Sequence, residues 1–182
     1  MRIPGSTLVA MVLLAMTVAA FADTTAVPAA GSSEQFLAKA LQASMVEVEL
    51  GKLAQKNAQS TGVNALGERM QRDHARIVKV LSGLSRSKGM TVPTSLDSGQ
   101  LAQIESLGTK TGADFDTAYV ELMVRKHEEA MVLYTAVAEG SDPELSQVAK
   151  LALPTLREDQ RLAGSYEKLN ADSDVQAVAA RR

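Results

Sequence analysis

Four long stretches of this chain carry apolar side chains at helical intervals, and two of the three connections between them are too short for anything but a tight turn. Phe36, Leu37, Ala40, Leu41, Met45, Val48, Leu53 and Ala54 recur every three or four residues, the spacing of one helix face. Val63, Leu66, Met70, Ile77, Val80, Leu81 and Leu84 do the same, as do Phe115, Tyr119, Val120, Met123, Val124, Met131 and Tyr134, and then Val148, Ala152, Leu156, Leu162 and Tyr166. Gln59-Ser60-Thr61-Gly62 separates the first pair and Gly140-Ser141-Asp142-Pro143 the second. Helices joined so closely must lie side by side and antiparallel. Between the hairpins, residues 89–98 form a crossover in which Pro93 breaks any helix, and a short helix is expected over Gln100–Leu107. No strand pattern competes. The expected fold is all-α: a four-helix bundle of two antiparallel helical hairpins, with a crossover carrying a short extra helix.

The ends of the helices have their own signals. Ser33 is the expected N-cap of the first helix, with Glu34 in its first turn. Lys88-Gly89 suits the end of the second. Ser141-Asp142-Pro143-Glu144 offers N-cap candidates, an early proline and a glutamate three residues after the serine. Pro154 lies inside the last helix and is expected to kink or break it. The bundle is expected to span residues 33–169, with residues 170–182 as a disordered tail that lacks a strong apolar face.

The first 22 residues read as a cleavable signal peptide. Arg2 precedes the apolar run Leu8–Met16, and Ala20-Phe21-Ala22 places small residues at −3 and −1 of a cleavage site before Asp23. Residues 23–32 read as a flexible linker. Periplasmic or secreted localisation follows as the expectation, with no stable membrane span after cleavage. The chain has no cysteine, which excludes disulfides, thiolate metal sites, cysteine nucleophiles and a lipid anchor on sulfur. Without Arg2, 18 of the 19 basic residues face 21 acidic ones. That balance argues against nucleic acid, whose phosphates need a basic surplus. A homo-oligomer stays open, and the sequence names no protein partner.

Chemistry is expected where polar groups interrupt the buried faces. Each long helix has one such residue: Glu47, His74, His127 and Asp159. Glu47 lies 14 residues before the turn at residue 61 and His74 lies 13 after it, so antiparallel helices bring them to one level. His127 lies 14 before the turn at 141. Asp159 lies 18 after it, about four residues too deep, an offset of ~6 Å. Asp73, Glu128 and Glu158 are alternates or supporting partners, whereas Glu49 belongs to the solvated face. Imidazole nitrogen and carboxylate oxygen are ligands of zinc and of iron, and the lack of sulfur disfavours soft metals. The bland alternative is a core histidine satisfied by a nearby carboxylate. The methionines, spread at helical intervals over several helices, read as core packing.

Several segments occur in a recognisable order: Val46-Glu47-Val48-Glu49-Leu50-Gly51-Lys52-Leu53-Ala54, Met70-Gln71-Arg72-Asp73-His74, Phe115-Asp116-Thr117-Ala118-Tyr119, Met123-Val124-Arg125-Lys126-His127 and Leu153-Pro154-Thr155-Leu156. In these the chain resembles the bacterial extracytoplasmic family called domain of unknown function 4142, over about residues 33–168. The resemblance implies a ferritin-like bundle and export, and brings no established activity. It matches Glu47, His74 and His127 to the family's recurring acidic and histidine positions. The family commonly has a histidine where this chain has Asp159, so a fourth corner built here differs in chemistry. Di-iron carboxylate bundles use paired Glu-x-x-His motifs. Here Glu68, Glu121 and Glu128 are followed three residues later by Gln71, Val124 and Met131, so no enzyme of that kind is expected. Two readings remain: an exported zinc- or iron-binding protein, or a metal-free structural, interaction or stress-protective module of the cell envelope.

Overall fold

The computed structural model describes residues 33–179, with side chains to residue 169. The expected signal peptide and linker, residues 1–32, lie outside the described residues, as do residues 180–182. Five helices make up the fold: α1 (Ser33–Asn57), α2 (Thr61–Ser87), α3 (Ser98–Gly108), α4 (Gly112–Ala138) and α5 (Pro143–Ala179). Among the described residues there is no strand beyond one isolated bridge, Ala58 to Gly112. None of these helices is long and apolar enough to cross a membrane.

α1 packs chiefly on α2, and α4 on α5; α2 then meets α5, and α1 meets α4. α3 leans on α1 and α4 and contributes one buried side chain, Leu107. The α1–α2 hairpin closes at its crossing to backbone contact. A Cβ on Gly51 would lie 2.6 Å from the Gly67 carbonyl oxygen, and one on Gly67 would lie 2.6 Å from the Ala54 Cβ. Only glycine permits so close an approach in the middle of two helices.

The caps are made locally, with one exchange against expectation. Ser60 caps α2 by accepting from the Val63 amide. Asp97 and Gln100 form a capping box on α3. At α5 the cap is Asp142, whose Oδ1 accepts from the amides of Glu144 and Leu145 at 3.0 and 3.1 Å. Ser33 does not cap α1. It is itself helical, and its hydroxyl donates to Asp142, tying the start of one hairpin to the turn of the other.

Pro154 does not break α5, which is one continuous helix. The carbonyl that loses its donor belongs to Lys150, and both Lys150 and Pro154 lie on the solvent side, where an unpaired carbonyl costs little. The helix also continues to Ala179, past Asn170 where the apolar stripe stops. Extending an existing helix costs far less than starting one, and a stripe is not needed for it.

The turn between α1 and α2 is clamped from outside the hairpin. Asp116, buried on α4, accepts from the amides of Gln59 and Ser60 at 3.0 and 2.8 Å. Asp116→Ala leaves both amides without that acceptor and is expected to cost about 1–3 kcal/mol. Thermal melting checks this. An unchanged melting temperature would show that water serves the two amides equally well.

The apolar interior is in two parts. One holds Phe36, Leu37, Leu41, Leu81, Tyr134, Leu145 and Leu156; the other holds Val46, Leu50, Val63, Met70, Phe115, Tyr119, Met123 and Ala163. On α2, α4 and α5 the changeover falls at His74, His127 and Asp159, and on α1 just before Glu47, so a polar layer crosses the middle of the core.

Candidate metal centre

Glu47, His74 and His127 come from α1, α2 and α4, and all three are buried. One ligand atom from each lies within 4.8 Å of the other two. Oε2 of Glu47 is 2.6 Å from Nε2 of His74 and 3.9 Å from Nε2 of His127, and the two Nε2 atoms are 3.4 Å apart. A tetrahedral ion with bonds of about 2.0–2.2 Å separates its ligand atoms by roughly 3.3–3.6 Å, so these spacings bracket the required one.

The bonding around the triad is incomplete in a telling way. His127 Nδ1 lies 2.9 Å from the Met123 carbonyl oxygen one turn back, to which it donates. That bond places its proton on Nδ1 and turns the Nε2 lone pair to the centre, where it faces Nε2 of His74 at hydrogen-bonding distance, 3.4 Å. Oε2 of Glu47 has no aligned hydrogen bond despite the short approach of His74, and Nδ1 of His74 has no partner among the protein atoms. Buried polar atoms are rarely left so.

Burial pushes the Glu47 carboxyl up, but the charge and contact of His74, with His127 and Lys126 behind, hold it at about 2. Burial pushes His74 down, and Glu47 outweighs it with help from Asp159 and Asp73, so the imidazole is raised. Each group thus favours the charged form of the other.

Asp159 is fully buried and its Oδ2 lies 4.0 Å from His127 Nε2. It does not join the triad's 4.8 Å group. Its other oxygen accepts from Nε of Arg69 at 2.5 Å. Burial raises the Asp159 carboxyl, against the opposing pull of Arg69. Arg69, which the sequence did not single out, thus holds the fourth polar residue of the layer.

The alternates turn elsewhere. Asp73 is buried but faces Arg69, Arg72 and Arg76 at 3.3–3.5 Å. One helix step rotates a side chain by about 100°, so a neighbour of His74 cannot share its direction. Glu128 is exposed, and Glu158 pairs with Arg161 at 2.8 Å. Glu49 pairs with Lys52 on the half-exposed face, as expected.

A family model described as a domain of unknown function, DUF4142, matches residues 17–165. The chain belongs to the DUF4142 family. Among solved structures it is similar to a DUF305 fragment from Deinococcus radiodurans, with 17% identity and a TM-score of 0.64, covering 74% of this chain and 94% of that one. It is also similar to a DUF305 protein from Streptomyces coelicolor, with 14% identity and a TM-score of 0.64, covering 75% and 90%. At such identities the likeness concerns the fold alone: these are related all-helical domains. No curated protein matches the chain.

Proposed function

We propose that this DUF4142 protein is an exported, non-catalytic, ferritin-like four-helix bundle. It binds one zinc or iron(II) ion through Glu47, His74 and His127, for storage, buffering or stress protection at the cell envelope. The observation that carries the reading is the convergence of three buried donor atoms from three helices, with Oε2 of Glu47 lacking an aligned partner. A cation supplies what that oxygen lacks, and a metal-bound His74 keeps its other nitrogen as N–H. Asp159 adds negative charge beside the ion while Arg69 holds it. Export rests on the sequence of residues 1–22.

Metal that binds only the folded state stabilises it by mass action. At 100 times the dissociation constant that amounts to about 2.7 kcal/mol, or roughly 5–10 °C in melting temperature for a domain of this size. Untagged protein is expected to retain a stoichiometric ion after desalting and to show that rise, reversed by chelator. His127→Ala is expected to lose the rise. No bound zinc or iron and no shift with either metal would overturn the reading.

A metal-free module is the second reading, and the charge balance favours it. His74 and Glu47 stabilise each other's charged forms, and Arg69 compensates Asp159. It predicts that His74→Ala loses stability equally with and without metal.

A further inference from the structure

A cavity of about 190 Å³ opens between α1 and α4 and ends on Glu47 and His74. Its mouth carries Lys39, Ala43 and Glu129, all exposed, and the half-buried Lys126. Its inner wall holds Tyr134, whose buried hydroxyl makes no aligned hydrogen bond and has the Ser44 side chain beside it. The space admits water and small solutes, since one water needs only about 10–15 Å³ of such volume.

These features have a common direction. Three donors leave a tetrahedral ion one position short, the condition of metal sites that take an outside ligand. Neither His127 nor Asp159 lines the cavity, so it reaches the ion's position from the Glu47 and His74 side. Two lysines flank the way in and pair with no acidic side chain among the described residues, and Lys126 is close enough to act on the Glu47 charge. Tyr134 offers a hydroxyl proton inside. Two lysines against the one mouth carboxylate, Glu129, together with a buried donor around an ion, favour a small anion.

We propose that the cavity is a ligand channel through which a small monovalent anion reaches the bound metal and takes its fourth position, drawn by Lys126 and Lys39 and received by the Tyr134 hydroxyl. The proposal rests on the metal reading above. Nothing here requires a reaction: the anion binds and leaves.

Cobalt(II)-loaded full-length protein titrated with azide tests it, because cobalt accepts the same donors and its visible spectrum reports the fourth ligand. A saturable spectral change is expected in wild type. Ala43→Phe, which fills the mouth without touching a ligand, is expected to weaken azide at least tenfold while cobalt still binds one to one. Lys126→Gln is expected to weaken it roughly three- to tenfold, the effect of removing one nearby charge. Cobalt bound with no response to azide overturns the channel and leaves the metal site standing, as does a response that both variants leave unchanged. Loss of cobalt affinity in Asp159→Asn, together with azide silence, assigns the fourth position to Asp159 instead. Failure to bind cobalt at all overturns the metal reading and the anion site with it.

Discussion

Gly51→Ala is expected to lower the stability of the fold by about 2–3 kcal/mol, a drop of roughly 5–10 °C in melting temperature. The new methyl would stand 2.6 Å from the Gly67 carbonyl oxygen and 2.7 Å from the Gln71 nitrogen. Both are backbone atoms within a helix, so neither can turn aside as a side chain would. α1 and α2 must separate, and the packing of Leu50, Ala54, Leu66 and Met70 loosens with them. Set against this is the gain of about 1 kcal/mol that alanine brings over glycine in a helix interior. Gly83→Ala isolates that gain. Gly83 also lies in α2, but a Cβ there would meet nothing within 4 Å, so this variant is expected to be slightly more stable than wild type. Denaturant unfolding of the pair measures the contrast. If both substitutions stabilise, the two helices are not in backbone contact. Gly51 is one turn from Glu47, so parting the helices also draws the carboxylate from His74, and Gly51→Ala is expected to weaken the proposed metal binding.

The helices, their turns and the four inward residues could be read from the sequence because each is a local matter of periodicity or capping. Asp159 shows where level-counting falls short. Counting from the turn puts it about four residues too deep, yet its carboxylate approaches His127 to 4.0 Å. Side chains on a helix lean toward its N-terminus. On α4 that lean carries His127 away from the turn, and on α5 it carries Asp159 back toward it, so the two close the gap. The same lean operates in the first hairpin. Glu47 stands ten residues before the end of α1 at Asn57, and His74 thirteen after the start of α2 at Thr61, but they touch. What no local pattern reveals is pairing across the bundle. Asp116 looks like an ordinary early-helix carboxylate until α4 brings it to the amides of the other hairpin's turn. Arg69 looks like a surface cation, and Gly51 and Gly67 look like weak points in their helices.

Arg69→Met is expected to be the most damaging single change at the polar layer, costing about 3–5 kcal/mol at neutral pH. Arg69 is the side chain that bonds Asp159, which is fully buried and has its second oxygen unpartnered. Removing the guanidinium leaves a charged carboxylate inside the protein with only the histidines nearby. The sign of the pH dependence follows from the direction of the shift. Burial already raises the Asp159 carboxyl, and loss of Arg69 raises it further. A carboxyl whose folded value exceeds its unfolded value binds its proton more tightly when folded, so the penalty is full at neutral pH and falls as the solution is acidified through the raised value. The gap between Arg69→Met and wild type is therefore expected to narrow on going from pH 8 to pH 5. The double variant Arg69→Met/Asp159→Leu removes both charges and is expected to regain most of the loss, since an apolar pair can replace a buried ion pair at little cost. Urea unfolding at several pH values, read as a double-mutant cycle, carries the test. A pH-independent loss, or a double variant no better than the single one, would mean that Arg69 acts by packing its stem and not by holding the Asp159 charge in place.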